Sequence, residues 1–235
     1  MAVQFTATSS TYVSVPYNAV FSTITTAVTV CAWSYRLNDD ALQAIMSRGV
    51  PTSPLNEYYH LNYYNNGYPR FIVGDASSVT NIIGPTYVPL NSWHHMCGTW
   101  DGTTVSVYVD GVLQGSTARS GALPTDTTAA ITIGCDTNNG TVAEFMTGYV
   151  EDARIYNRAL SQTEVQTLYA CPGHDGIVSG LVLRYPLNEL QPTTSVAKNG
   201  VIYDIGQTKV NGVAKTALPY TYGIISDRKR VMRYS

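Results

Sequence analysis

Charge is scarce in this chain. Asp, Glu, Lys and Arg make up 13% of its 235 residues, about half the usual share of a soluble domain. Residues 1–171 contain no Lys, and their 6 Arg face 12 acids, a net −6; residues 172–235 carry 8 basic residues against 4 acids, a net +4. An acidic head and a basic segment are thus expected to meet different surroundings. No apolar run approaches the roughly 20 residues of a membrane-spanning helix. The opening MAVQFTATSS has neither the basic start nor the apolar stretch of a secretory signal, so folding in a cytoplasm is expected. The 4 Cys, at positions 31, 97, 135 and 171, include no CxxC pair. Two disulfides in any of three connectivities stay open, although buried free thiols are the expectation for a cytoplasmic chain.

Catalytic signatures are missing too. There is no Gly-x-Ser-x-Gly elbow and no Gly-x-Gly-x-x-Gly or phosphate loop. Of the 4 His, His60 and His174 are isolated. His94 and His95 are neighbours on a strand and point to opposite faces, so one is expected to be a satisfied core histidine and no metal constellation forms.

Thr, Ser, Asn and Tyr are plentiful. The 18 Tyr against 4 Phe give most rings a hydroxyl, which suits strand faces that are half wet. In residues 91–160, Val105, Val107 and Val109 alternate with Ser106 and Tyr108, the period of a half-buried strand. Asp101-Gly102 and Asp110-Gly111 read as hairpin turns that need φ > 0. Residues 27–36 read as a central strand with Val28, Val30 and Ala32 on one face and Cys31, Trp33 and Tyr35 on the other. Tyr58–Tyr64 and Phe71–Val73 pair across Asn65-Asn66-Gly67. Ser161 followed by Glu164 is a capping box opening the one clear helix, a short one. Cys171-Pro172-Gly173 marks a boundary, followed by the strand pattern GLVLRYPLNEL.

The succession SWHHMCGTWDG, VSVYVDGVLQG, ITIG and GYVEDARIYNRALSQTEV, with FTATSSTYVSVP, VTVCAWSYRL and YYHLNYYNNGYPRFIVG upstream, resembles the laminin-G-like, concanavalin-A-type jelly roll. The resemblance covers roughly residues 1–170. It implies an all-β, antiparallel two-sheet sandwich, with residues 1–171 as the jelly roll and 172–235 as a strand and basic arm. In similar chains a strand like GLVLRYPLNEL comes before the first core strand. Here it either completes the same sandwich from the other end or begins a second copy; about 60 residues are too few for a second jelly roll, so completion is preferred.

Some relatives of this fold are glucanases, whose paired carboxylates share a strand face about 5 Å apart. Glu151 and Asp152 are adjacent, hence expected on opposite faces; Glu151 is expected at the surface and Asp152 beside Arg154 or Arg158, so a non-enzyme is expected. Laminin-G-like modules often bind calcium at one rim. The candidates are Asp75, Asp136 and Asn138, though turn capping is the preferred reading because too few acids gather for six to eight oxygens; no cofactor is expected. The stripe Tyr58, His60 and Tyr64, with Tyr68 beyond the turn, suits stacking on sugar rings. Arg228, Lys229, Arg230 and Arg233 form a basic end suited to a protein surface, with nucleic acid disfavoured. The resemblance to phage-encoded laminin-G-like proteins implies a virion structural protein, a capsid or tail decoration anchored by its arm to other virion proteins or sister copies as a homo-oligomer. The alternative is a lectin-like module for surface glycans.

Overall fold

Val28, Val30 and Ala32 point to one side of their strand and Cys31, Trp33 and Tyr35 to the other, and in the computed structural model every residue from Val28 to Arg36 is buried. A strand covered on both faces lies near the middle of a sheet that is itself covered. The structure describes residues 2–49, 57–75, 78–125, 128–138 and 141–187.

The strands are β1 (Val3–Phe5), β2 (Val13–Val15), β3 (Val28–Arg36), β4 (Leu42–Gly49), β5 (Glu57–Tyr64), β6 (Tyr68–Gly74), β7 (Val79–Ile83), β8 (Trp93–Trp100), β9 (Thr104–Val109), β10 (Val112–Ala118), β11 (Ile131–Ile133), β12 (Asp136–Asn138), β13 (Thr141–Ala143), β14 (Gly148–Tyr156) and β15 (Leu181–Tyr185); the helix α1 is Gln162–Ala170. One antiparallel sheet has the order β1-β14-β3-β8-β9-β10, with β15 also on β14; the other has the order β2-β11-β4-β5-β6-β7, and β12 and β13 form a separate hairpin. The architecture is the two-sheet jelly-roll sandwich that the motifs implied.

The core lies between the sheets. Val30, Met96, Trp100 and Val107 of the first meet Val13, Leu61, Phe71 and Ile133 of the second. The sheets pack tightly at Gly98, where an added β-carbon would overlap the Phe71 ring. On the outside of the first sheet α1 covers Cys31, Cys97 and Tyr108 with Val165 and Leu168. Its capping box is complete: the Glu164 amide donates to Ser161 Oγ, and the Ser161 amide donates to the Glu164 carboxylate.

The two Asp-Gly turns differ. Asp110 and Gly111 both have φ > 0 (51° and 77°), as a two-residue hairpin turn requires. At Asp101-Gly102 only Gly102 does (95°), and Asp101 instead accepts hydrogen bonds from the Thr103 and Thr104 amides. All four Cys are free; Cys31, Cys97 and Cys135 are buried, whereas Cys171 is exposed, contrary to the expectation that all four thiols are buried.

The edge of β14 is shared by two short strands. β1 pairs with Gly148–Val150, and β15 with Ala153–Tyr156. Between them β14 bulges against β3, and Asp152 takes φ +51° while its amide donates to the Pro186 carbonyl. Backbone from beyond residue 171 thus lies in the first sheet.

Candidate functional site

The outward face of the second sheet carries most of the predicted stripe. The turn Asn65-Asn66-Gly67, with all three φ positive and the Gly67 amide donating to the Tyr64 carbonyl, sets the register of β5 on β6. Counting from the turn, Tyr64 lies opposite Tyr68, Asn62 opposite Arg70, and His60 opposite Ile72.

The stripe does not form one open platform. A register shift between Arg48 and Gly49 inserts Tyr58 as an extra residue, and its ring packs in the main core beside the Arg48 guanidinium, 5.0 Å away. His60 does face outward but is 0% exposed. The two ends of the β12–β13 hairpin lie over it. Asp136 accepts a short hydrogen bond from Ser47 and stands 3.9 Å from His60; Glu144 stands 3.8 Å from His60 on the other side and accepts from Asn62 Nδ2 (3.0 Å). This inner half is a closed polar network.

The outer half is open. Tyr64 is 37% exposed and Tyr68 half-buried. The Arg70 guanidinium lies 4.6 Å from the Tyr64 ring centre, its Nε donates to Asn62 Oδ1 (2.9 Å), and Glu144 stands 3.8 Å from it. Tyr87 extends the rim, edge-on to Tyr68 at 6.2 Å, with its hydroxyl donating to the Asp39 carboxylate. Beneath them the Arg36 guanidinium lies against Tyr63 and Tyr87. Burial pushes the Tyr63 hydroxyl up to about 12, against the opposing effects of its Ser34 hydrogen bond and Arg36, so it stays neutral and holds Ser34. Aromatic faces edged by a preset guanidinium can stack on flat apolar surfaces of a ligand and hydrogen-bond its hydroxyls.

Arg70 was legible in principle: the turn register places it opposite Asn62. Tyr87, Asp39 and Glu144 arrive from distant parts of the chain, and no local pattern announces them.

Two of the three candidate calcium ligands are already engaged by protein groups. Asp75 accepts from the Ser78 amide and hydroxyl and pairs with Arg119 at 2.8 Å, while Asp136 is bound to Ser47. The Asn138 side chain lies outside the described residues. Among the described residues no group of three or more His, Cys, Asp or Glu could hold a metal ion. Glu151 is buried opposite Trp33, not at the surface as expected. Asp152 pairs with Arg154 and Arg184. Burial alone would raise its carboxyl, but these two arginines outweigh it and hold it below the ordinary range. Arg228, Lys229, Arg230 and Arg233 lie outside the described residues.

Solved structures share this fold. A native heptameric SAP-like pentraxin from Limulus polyphemus matches with a TM-score of 0.58 at 19% identity, over 76% of this chain and 87% of that one. Ruminococcus gnavus IT-sialidase CBM40 bound to α2,3-sialyllactose matches with a TM-score of 0.58 at 15% identity, over 72% and 95%; the same module bound to α2,6-sialyllactose gives 0.56. No curated protein matches. A laminin-G-type family model covers residues 7–166, and the chain belongs to the concanavalin A-like lectin/glucanases superfamily.

Proposed function

We propose that this protein binds saccharides through the open end of its second sheet, with Tyr64, Tyr68 and Tyr87 as stacking surfaces and Arg70, positioned by the buried Asn62, as hydrogen-bond donor. The observation that carries this reading is the ordering of Arg70. Its guanidinium is held against Tyr64 by Asn62 before any ligand arrives, so little side-chain freedom is lost on binding. The solved structures of similar fold that carry a sialyllactose support a saccharide ligand. The role is binding and not cleavage of glycosidic bonds, since Glu151 is buried and Asp152 is held by two arginines. The virion expectation rests on the resemblance to phage-encoded proteins, the strand after residue 179 and the Arg-rich end; the fold and the similar structures lend it no support beyond the sandwich itself, and it is not carried further.

A glycan array with the full chain, followed by calorimetry on any hit, tests this. Tyr64→Ala and Arg70→Ala are each expected to weaken binding by roughly tenfold or more, in line with about 1–3 kcal/mol for a stacked ring or a charged hydrogen bond. Absence of saccharide binding, or binding unchanged in both variants, overturns the reading.

A further inference from the structure

Where β8 begins and β9 turns into β10, three side chains form an unbroken hydrogen-bonded line. Ser92 Oγ lies 2.9 Å from His94 Nε2, and His94 Nδ1 lies 2.7 Å from Asp110 Oδ2. Asp110 is fixed from two further sides: its Oδ1 accepts from the His95 amide (2.8 Å), and its own amide donates to the His95 carbonyl (2.9 Å). The hairpin turn that demands φ > 0 at Asp110 therefore also aims its carboxylate at His94.

Valence settles the tautomer. A carboxylate only accepts, so the neutral imidazole carries its proton on Nδ1, toward Asp110. Nε2 is then an acceptor, and Ser92 Oγ–H donates to it. The other contacts of Ser92 Oγ, with the Leu90 and Pro89 carbonyls, are longer at 3.3 and 3.5 Å. A hydroxyl bonded to a base that a carboxylate orients is the signature of an activated nucleophile. The group is reachable from solvent, with His94 15% and Asp110 28% exposed in their side chains and Ser92 half-buried. The saccharide reading makes no use of it.

We propose that Ser92 is an acyl acceptor for small carboxylic esters, with His94 as its general base and Asp110 as the residue that positions His94. Ser92 Oγ adds to the ester carbonyl carbon as its proton passes to His94 Nε2. The tetrahedral intermediate collapses, the carbon–oxygen bond to the alcohol breaks, and the alcohol leaves with the proton from His94. Water then adds to the acyl-Ser92 by the same route, releasing the carboxylic acid and restoring the hydroxyl. No oxidant, metal or further reactant is needed.

The test uses the full chain with diisopropyl fluorophosphate, in which Ser92 Oγ would displace fluoride and leave a stable phosphoryl ester, and with p-nitrophenyl acetate. Peptide mapping is expected to place one phosphoryl group on Ser92, and p-nitrophenol release should fall to the buffer rate in Ser92→Ala. His94→Gln and Asp110→Asn should each slow both reactions by about 100-fold or more, the scale of general-base assistance. In Asp110→Asn the amide oxygen can keep the His95 amide bond while the Nδ1 proton loses its anionic acceptor, so a slowed reaction at an unchanged melting temperature separates positioning from folding. Label absent from Ser92 in the unmutated protein, or a Ser92 labelling rate that is the same in His94→Gln, overturns the proposal; the first of these needs no variant to fold.

Discussion

Arg154→Met should cost this fold more than removing any surface charge, and the cost should depend on pH in a particular direction. Arg154 is 3% exposed in its side chain and makes a double contact with each of two carboxylates. Nε and Nη2 donate to Asp152 at 3.1 and 2.6 Å; Nη1 and Nη2 donate to Asp175 at 2.9 and 2.8 Å. Asp175 is 4% exposed in its side chain. Methionine fills much of the space but leaves two buried carboxylates without their main cation. Breaking a buried pair from one side costs about 3–5 kcal/mol. For a chain of this length that corresponds to a fall in melting temperature of roughly 10–15 °C.

The pH dependence follows from the carboxylates. Burial pushes Asp152 and Asp175 up, but the Arg154 hydrogen bonds and charge outweigh it, and both lie below the ordinary carboxylate range in the folded protein. A group depressed on folding stabilises fully above its unfolded value, about 3.9, and loses that contribution as pH falls through the folded value. The unmutated chain should therefore keep this stability from neutral pH down to about 4 and lose it below. In Arg154→Met Asp175 loses its main cation, burial raises its folded value, and protonation relieves the strain, while Arg184 still partners Asp152. Urea denaturation from pH 7 to pH 4.5 should show the gap between the two proteins narrowing. Arg184→Met, which removes one more exposed partner of Asp152, should cost only about 1 kcal/mol. A deficit in Arg154→Met below 1 kcal/mol, or one constant from pH 7 to pH 4.5, would refute the reasoning.

Gly98→Ala should destabilise by about 1–3 kcal/mol in urea, because the new methyl group overlaps the Phe71 ring where the sheets meet. In native protein treated with iodoacetamide, mass spectrometry should find Cys171 alkylated first; Cys31, Cys97 and Cys135 should wait for unfolding. Burial pushes Cys135 up to about 12, whereas a hydrogen bond from Cys97 lowers Cys31; Cys31 lies under α1, so its rapid native alkylation would mean that α1 opens. Ser161→Ala removes the acceptor for the Glu164 amide and should cost about 1 kcal/mol, read as faster amide exchange across α1 than across β3.

The strands and the helix start were legible because their signals are local. The alternation Val105, Val107, Val109 needs only a period of two, and Ser161 with Glu164 needs only a separation of three residues. The candidate stripe failed at Tyr58 for the same reason: alternation holds only while the register does, and the shift at Arg48/Gly49 moves Tyr58 into the core. His60 was placed on the correct face, yet its cover comes from Asp136 and Glu144, more than seventy residues away. A polar outward residue under a polar hairpin reads in the sequence like a polar residue under water.

The bulge at Asp152 shows why the two ends of the described chain can share one strand edge. β1 reaches only as far as Val150 on β14, and β15 begins its pairing at Ala153. Between them the backbone turns out of register at a residue with φ +51°, a conformation that Asp tolerates better than a branched or bulky side chain. The same kink puts the Asp152 carboxylate within reach of Arg154 on its own strand and Arg184 on β15, while its amide takes the Pro186 carbonyl. One residue thus supplies the backbone break that separates the two edge strands and the charge that holds the second in place. The adjacency of Glu151 and Asp152 that argued against a glycosidase pair is, in the folded chain, the seam where segment 181–187 joins the first sheet. That seam is on the opposite sheet from Tyr64 and Arg70, so loosening it should lower stability without reshaping the proposed saccharide face.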